Sequence, residues 1–545
     1  MLNRLISGCA LSRLHSRPLM CLSFFAIAAF FVSISGAAQV RNQTVLAQLK
    51  TRAERTDFRE TSRYDDVVSF LNTVAENSEL VHMTTMGYTF EGRALPLAVV
   101  GRVSDSRPET VKASGKLRIY IQANVHAGEV EGKESSLNLV RDIALGRYNS
   151  WLDSIVLLIG PDYNADGNEK IALTNRGPQH GPIGGMGTRA NAQGLNINRD
   201  YIKLDTPEGR SMVKLLNDYD PQIMMDLHTT DGSRHAYHLT FETPNNPAVD
   251  ANINRSSLDW MASIVSSIKS KYGWDFHAYG NVGGRQPDRV WSTVEDLPRY
   301  SHNYWGIRNR FGILSETYSY LTFKDRVETD TRFLEELLNY ASANAARIKQ
   351  AAEDADKRSL IGQQLSLRSK LKRSPQMVEI IMGDTEDEVN PYSGRTMLRR
   401  LDVRKPEKMW EEASFESTDS DRVPSAYYVP ANLTTAIERL QAHGIRLERL
   451  AQPSASLPVE EFQIETSTAT PQAFENHKER TVTGKYLPAE RSFAAGTYRV
   501  DMHQPLARLA FYLLEPRSND GLMTWNFLDD AIKDGKVYPI LRSRD

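Results

Sequence analysis

Three apolar runs, far apart in the chain, each stop at or beside a side chain that can bind a metal or carry a proton. Leu117–Val125 runs into His126, Gln222–Leu227 into His228, and Gly312–Leu314 into Ser315-Glu316. Between them lie Lys133–Leu145, a helical pattern with Leu137, Val140 and Ala144 on one face, and a further apolar run, Ile155–Ile159. Strands that alternate with helices assemble into a sheet with helices on both faces. The expected fold is therefore α/β, a mixed and mostly parallel twisted sheet with helices on both faces. Ligands of such sheets bind outside the carboxyl ends of the strands, which is where His126, His228 and Glu316 fall.

His126-Ala127-Gly128-Glu129 sets an imidazole and a carboxylate three residues apart where a buried strand stops. That is half of a catalytic zinc site, which needs three protein ligands and one open position. The chain has 12 histidines, so such a pair arises by chance, and the rest of the chain must supply the context. His228 follows a buried strand with Asp226 two residues back; a satisfied core histidine is the plain alternative. Glu316 follows another, and a carboxylate there is costly to bury unless it is paired or used; a salt-bridged structural glutamate is the alternative. The segment Thr188–Asp200 sets Arg189 and Arg199 around one apolar turn with Asn196 and Asn198. Guanidinium groups suit bidentate carboxylate recognition and developing negative charge, although taken singly this is a turn with surface ion pairs.

The order His-x-x-Glu, then Arg…Asn-Arg, then strand-His, then strand-Glu resembles the M14 family of zinc carboxypeptidases, the funnelins, over roughly residues 61 to 350. Asp162-Tyr163-Asn164-Ala165-Asp166-Gly167 stands where that family has an Asn-Pro-Asp-Gly turn. The resemblance implies one Zn2+ held by His126, Glu129 and His228, with Glu316 as general base toward a zinc-activated water. It implies Arg189 at the scissile carbonyl, and Asn198 and Arg199 on the terminal carboxylate of a peptide substrate. The activity implied is a metallocarboxypeptidase that hydrolyses the C-terminal peptide bond. The alternatives are a peptidase or amidase of the same family that trims peptidoglycan stem peptides, or an inactive zinc- or peptide-binding protein. One departure is Asn196, where the family carries an aspartate behind the first zinc histidine. Tyr279, Tyr300 and Tyr304 all compete for the place of the family's mobile tyrosine, and the stretch Arg285–Tyr304 is expected to set side-chain preference.

A chain of 545 residues is too long for one ordinary domain. Arg4, Arg13 and Arg17 precede an apolar run, Leu19–Ile34, and the small residues Ser35-Gly36-Ala37-Ala38. Those are the parts of a signal peptide, over a run shorter than the ~20 residues of a membrane span. Both cysteines, Cys9 and Cys21, fall inside it. The mature chain would then be a thiol-free, exported protein, periplasmic or secreted and bacterial in character, with no permanent membrane span. A formal net charge of -2 gives no broad case for nucleic acid.

The expected organisation is a signal peptide over 1–38, an extension over 39–60, a catalytic domain over 61–355, a linker over 356–375 and a smaller β-rich accessory domain over 376–545. Thr61-Ser62 should start a helix through Val74, and Leu80–Tyr88 and Arg93–Val100 should form a hairpin. One long helix is expected from Asp330 to about Ala355, and a helix Thr434–His443 stopped by Gly444. The Gly-rich segment Gly177–Gly187 lacks a phosphate-loop Lys-Ser/Thr and reads as a surface loop beside the site. Ala510–Pro516 and Met523–Phe527 read as core strands and aromatic packing, and His235 and His238 as local turn or surface groups that could line the cleft.

Overall fold

In the main sheet every strand that carries chemistry is paired on both sides. The computed structural model describes residues 42–230, 232–533 and 535–544; residues 1–38, expected to be a signal peptide, lie outside the described residues. Eight strands form the sheet: β1 (Val81–Tyr88), β2 (Ala94–Val100), β3 (Leu117–Ala123), β4 (Ile155–Gly160), β5 (Ile223–Thr230), β6 (Leu239–Glu242), β7 (Phe276–Ala278) and, with β8 (Asn281–Gly283) and β9 (Val290–Ser292) intervening elsewhere, β10 (Phe311–Tyr318). Their order is β1-β2-β4-β3-β5-β10-β6-β7. The central pairs β4–β3, β3–β5 and β5–β10 are parallel, and the hairpin β1–β2 and the pair β10–β6 are antiparallel. All residues of β3, β4 and β5 are buried, as expected for strands covered on both faces. Each buried Ile, Leu or Val there contributes roughly 1.5–3 kcal/mol relative to exposure.

Two strands run further than their apolar cores. β5 continues through His228 to Thr230 and β10 through Glu316 to Tyr318, so both residues sit inside paired strands rather than just past them. The partners explain this: His228 is opposite Glu316, and Glu316 is opposite Thr240 on β6. Polar residues stay in register because Glu131 accepts bonds from the hydroxyls of Thr229 and Thr317, one residue beyond each.

Other boundaries shift for local reasons. The first long helix is Tyr64–Glu76, while Thr61 and Ser62 grip Glu134 instead of capping it, with Oγ–carboxylate distances of 2.9 Å each. The expected single helix from Asp330 is two, Phe323–Ala343 and Ala345–Lys357, meeting at the non-helical Asn344. The first begins earlier because Thr322 Oγ1 accepts from Asp325 N at 3.2 Å, an N-cap.

After residue 357 the chain is β-rich, with strands such as Gln364–Lys372, Lys405–Glu412, Leu457–Ala469 and Arg480–Arg491. The helix Thr434–Ala442 ends at Gly444, whose φ of +84° is the left-handed conformation glycine permits. Ala507–Leu514 is a helix, not a strand. Its eight residues are buried all round, and an unbroken apolar run carries no period to separate the two structures. Met523–Phe527 is a run of turns, with Trp525 buried as aromatic packing requires. From Lys50 onward the chain forms one compact unit. Its halves share a sheet, since β9 pairs in parallel with Lys405–Glu412 through Trp410 opposite Val290.

Candidate metal centre and substrate cleft

Asn124 ends β3 in the left-handed region, φ 60°, and its side chain donates to Asp162 at 2.7 Å and Asn168 at 3.1 Å. That turn throws His126 and Glu129 out from the sheet. Asn164, in the family-like turn, donates to Val125 O and Arg189 O at 3.2 and 3.3 Å, tying the His126 segment to the Arg189 segment. Gly128 is required by close approach: a β-carbon there would stand 2.4 Å from Arg176 Cγ.

His126, Glu129 and His228 are each no more than 3% exposed, and one donor atom from each lies within 4.8 Å of the others. His126 Nδ1 is 2.9 Å from Glu129 Oε1, and His228 Nδ1 is 2.8 Å from Glu129 Oε2. The far nitrogens are held from behind. His126 Nε2 meets Asn196 Oδ1 at 3.1 Å, and His228 Nε2 stands 3.0 Å from Asp226 Oδ2. Amide and carboxylate oxygens only accept, and a guanidinium only donates. Asn196 Oδ1 behind Nε2 and Arg189 Nη1 at 3.4 Å from Nδ1 therefore set the hydrogen of His126 on Nε2 and its lone pair on Nδ1, while His228 Nδ1 meets Glu129 Oε2. Ring nitrogens turned toward a carboxylate call for a proton or a cation among them, and two imidazoles with one carboxylate are a His₂Glu zinc donor set. The residues present therefore fit a zinc ion.

The electrostatics agree. Burial pushes His126 down to about 4, leaving the neutral ligand form. Burial works the same way on His228, but Asp226 and then Glu129 outweigh it and raise its pKa well above the usual value. The field that holds a proton there also favours a cation. Burial alone would push the Glu129 carboxyl up; His126, Arg176 and His228 together hold it well below its ordinary range.

Glu316 is half-buried and projects on the same sheet face as His228, its register partner. Arg189 is exposed, and its Nη1 reaches His126 Nδ1 at 3.4 Å. Asn196, Asn198 and Arg199 form one tight 3₁₀ turn in which Asn196 Oδ1 also accepts from Asn198 N at 3.1 Å. The Arg199 guanidinium stacks on the Tyr300 ring at 4.2 Å, a cation–π contact. The three tyrosines thus separate. Tyr300 underlies Arg199, whereas Tyr304 is fully buried against His443 at 2.7 Å. Burial, and after it the charges of Glu316 and Glu242, raise the Tyr279 phenol. Tyr279 lines a cavity of about 450 Å³ with Glu242 and Phe415, and Phe415 also borders one of about 630 Å³ with Arg299 and Phe474.

Sequence reading missed several groups. Arg176 Nη2 contacts Glu129 Oε1 at 2.9 Å, so the Gly-rich segment begins inside the centre. That segment is not a surface loop: Gln179 and His180 are buried, and Gln179 donates to Gly128 O at 3.3 Å. Glu131 is buried behind β5 and β10 and lies 3.2 Å from the fully buried Arg326. His235 is buried rather than on the surface, 4.1 Å from the Tyr318 ring, and His238 stacks on Trp274 at 5.2 Å. Only Gly128, a glycine beside a candidate ligand, hinted in the sequence that something packs closely there.

A buried donor set of this kind with a carboxylate in register beside it is the working part of a metal-dependent hydrolase. Residues 67–364, more than half of the chain, match the peptidase M14 zinc carboxypeptidase family; the chain belongs to that family and is a metallocarboxypeptidase. Carboxypeptidase 2 of Trichophyton equinum is 22% identical over 510 residues, covering 88% of this chain and 86% of that protein. Carboxypeptidase 2 of Trichophyton tonsurans is 23% identical over 511 residues, with the same coverage of 88% and 86%. The solved carboxypeptidase A of Helicoverpa armigera is 14% identical, with 58% of this chain and 81% of that chain covered and a TM-score of 0.42. Among the described residues no helix is long and apolar enough to cross a membrane.

Proposed function

We propose that this protein releases the last residue of peptides bearing a free C-terminal carboxylate, with His126, Glu129 and His228 holding one zinc ion. The observation that carries the reading is the convergence of the two imidazole Nδ1 atoms on the buried Glu129 carboxylate with Glu316 in register beside His228. A zinc ion there supplies Lewis acidity toward the scissile carbonyl and lowers the pKa of water at the site to about 7. Glu316 takes a proton from the attacking water and returns it to the departing amine, which suits a half-buried carboxylate. Arg189 steadies the negative charge that gathers on the scissile oxygen as the tetrahedral species forms. Asn198 and Arg199 grip the terminal carboxylate, and Tyr300 holds the Arg199 plane in place. An internal peptide bond brings no carboxylate to that clamp, so the clamp selects chain ends. Of the three tyrosines, Tyr279, whose phenol feels the charge of Glu316, is the one we assign to close over a bound peptide.

The basic, apolar and small-residue order of residues 1–38 supports export, and amino-terminal sequencing of the mature protein should begin near Gln39. The direct test is mass spectrometry of a mixed peptide pool incubated with zinc-loaded protein. The expected result is loss of single C-terminal residues, abolished by chelator and by C-terminal amidation. Cleavage of amidated peptides at the same rate would overturn the clamp, and internal cuts would overturn the carboxypeptidase direction.

A further inference from the structure

The clamp turn is held from outside the family-matched region. Asn196 N donates to Glu475 Oε2 at 2.9 Å, a contact 279 positions away in sequence. Glu475 sits at the tip of the connection between Leu457–Ala469 and Arg480–Arg491, where Phe474 and His477 exchange backbone bonds of 2.8 and 2.9 Å. Glu475 and Asn476 between them both have positive φ, 47° and 67°. A two-residue turn of that hand favours Asn-Gly or Asp-Gly, and glutamate is disfavoured there because its β-carbon crowds the backbone. Strain of this sort on a non-glycine residue is a reason to ask what its side chain does. The neighbouring His477 gives a second tie, its Nε2 being 2.8 Å from Asp205 Oδ2, with its ring edge-on to Trp525 at 5.4 Å. Asp205 is itself bound by Lys203 at 3.0 Å, which also binds Asp200 at 2.7 Å, directly after Arg199.

We propose that Glu475 is a positioning residue for the substrate-carboxylate clamp, so that the C-terminal β-rich region completes the cleft. Its carboxylate fixes the amide of Asn196, the residue that opens the turn carrying Asn198 and Arg199. The turn is closed by Arg199 N donating to Asn196 O at 2.9 Å, so a displaced Asn196 displaces the residue that carries the guanidinium. Glu475 also brings a negative charge toward Arg199 that adds to Tyr300 in offsetting burial and the neighbouring Arg189 and Arg299. Glu475 does not touch the reacting atoms; it acts through Asn196 and Arg199. The inference rests on the reading of Arg199 as the clamp.

The test compares Glu475→Ala and Glu475→Gln with the parent enzyme on one peptide series in acid and amide forms. Removing a hydrogen bond that involves a charged group is expected to raise KM for the acid form about tenfold in Glu475→Ala, with kcat within about twofold. Glu475→Gln keeps an acceptor oxygen and is expected to restore KM to within about threefold of the parent. Unchanged KM in Glu475→Ala overturns the proposal, as does a Glu475→Gln variant no better than Glu475→Ala. An equal fall of kcat and melting temperature in both, without a KM shift, marks a merely structural residue and overturns it too. Parent enzyme that cleaves acid and amide equally defeats the clamp reading itself, whereas intact discrimination with an unmoved KM in Glu475→Ala defeats only the role of Glu475.

Discussion

The two sides of the cleft are built on different principles. The proposed metal-and-base side stands on or directly after β3, β5 and β10, central strands with both neighbours paired, and Glu131 and Arg326 pack as a buried polar layer behind it. The proposed clamp side stands on loops: the Asn196–Arg199 turn, the Tyr300 ring beneath it and a hairpin tip reaching in from the C-terminal half. A site on rigid elements is held more tightly than one on loops. Glu316 and His228, the proposed base and one donor, sit inside paired strands, and His126 and Glu129 sit in the buried turn that follows β3. Recognition, which must admit different peptides, sits on the loops.

The contrast is breakable, and the largest effect should come from the sheet side. Glu316→Gln is expected to lower kcat roughly 10²–10⁴-fold with bound zinc unchanged by atomic spectrometry; zinc loss in step with activity would make Glu316 a ligand instead. Arg189→Ala should cost roughly 10²–10³ in kcat at nearly constant KM, read from full progress curves. On the loop side Arg199→Ala should act on KM, raising it roughly 10–100-fold as a charge-assisted pair is lost, with kcat much less affected. If Arg199→Ala lowered kcat as strongly as Glu316→Gln, the division between the two sides would collapse.

Arg176→Ala tests whether the metal side depends on groups beyond its three donors. Zinc affinity measured by competition with a chromophoric chelator should weaken about 10–100-fold. The smallest effect concerns stability. Burial pushes Asp330 up to about 7, beneath the same layer, with Ser135 Oγ donating to it at 2.8 Å. A carboxyl with a raised folded pKa binds its proton more tightly folded than unfolded. Stability is therefore full below the unfolded value and is lost as pH rises from about 4 toward 7. Asp330→Asn, which has no proton to lose, should melt about 1–3 °C higher at pH 8 and no higher near pH 4 by scanning calorimetry.

The same contrast decides what could be read before the fold was known. His126, Glu129, His228 and Glu316 stand at or near the ends of apolar runs, and an apolar run predicts its own burial and direction. Their order carried the family resemblance, and the family match over residues 67–364 bears that out. Arg176, Glu131 and Glu475 were not legible, because each acts through a partner brought close only by tertiary packing. Arg176 lies 47 positions from Glu129 in a glycine-rich stretch that reads as loop, and nothing local to Glu475 points at Asn196. The errors in secondary structure share a cause. Where a run is buried on every side, as in Ala507–Leu514, neither a period of 2 nor one of 3.6 survives to be counted.

The pairing of β9 with Lys405–Glu412 bears on the order in which the chain can mature. Val290 cannot meet Trp410 until the intervening 120 positions have emerged and found their place. Non-local strand pairs of that kind are slow to form and leave unpaired edges exposed meanwhile. A nascent chain halted before residue 405 would present β9 as an open template for other chains. Vectorial synthesis thus leaves β9 without its second neighbour until residues 410–412 arrive.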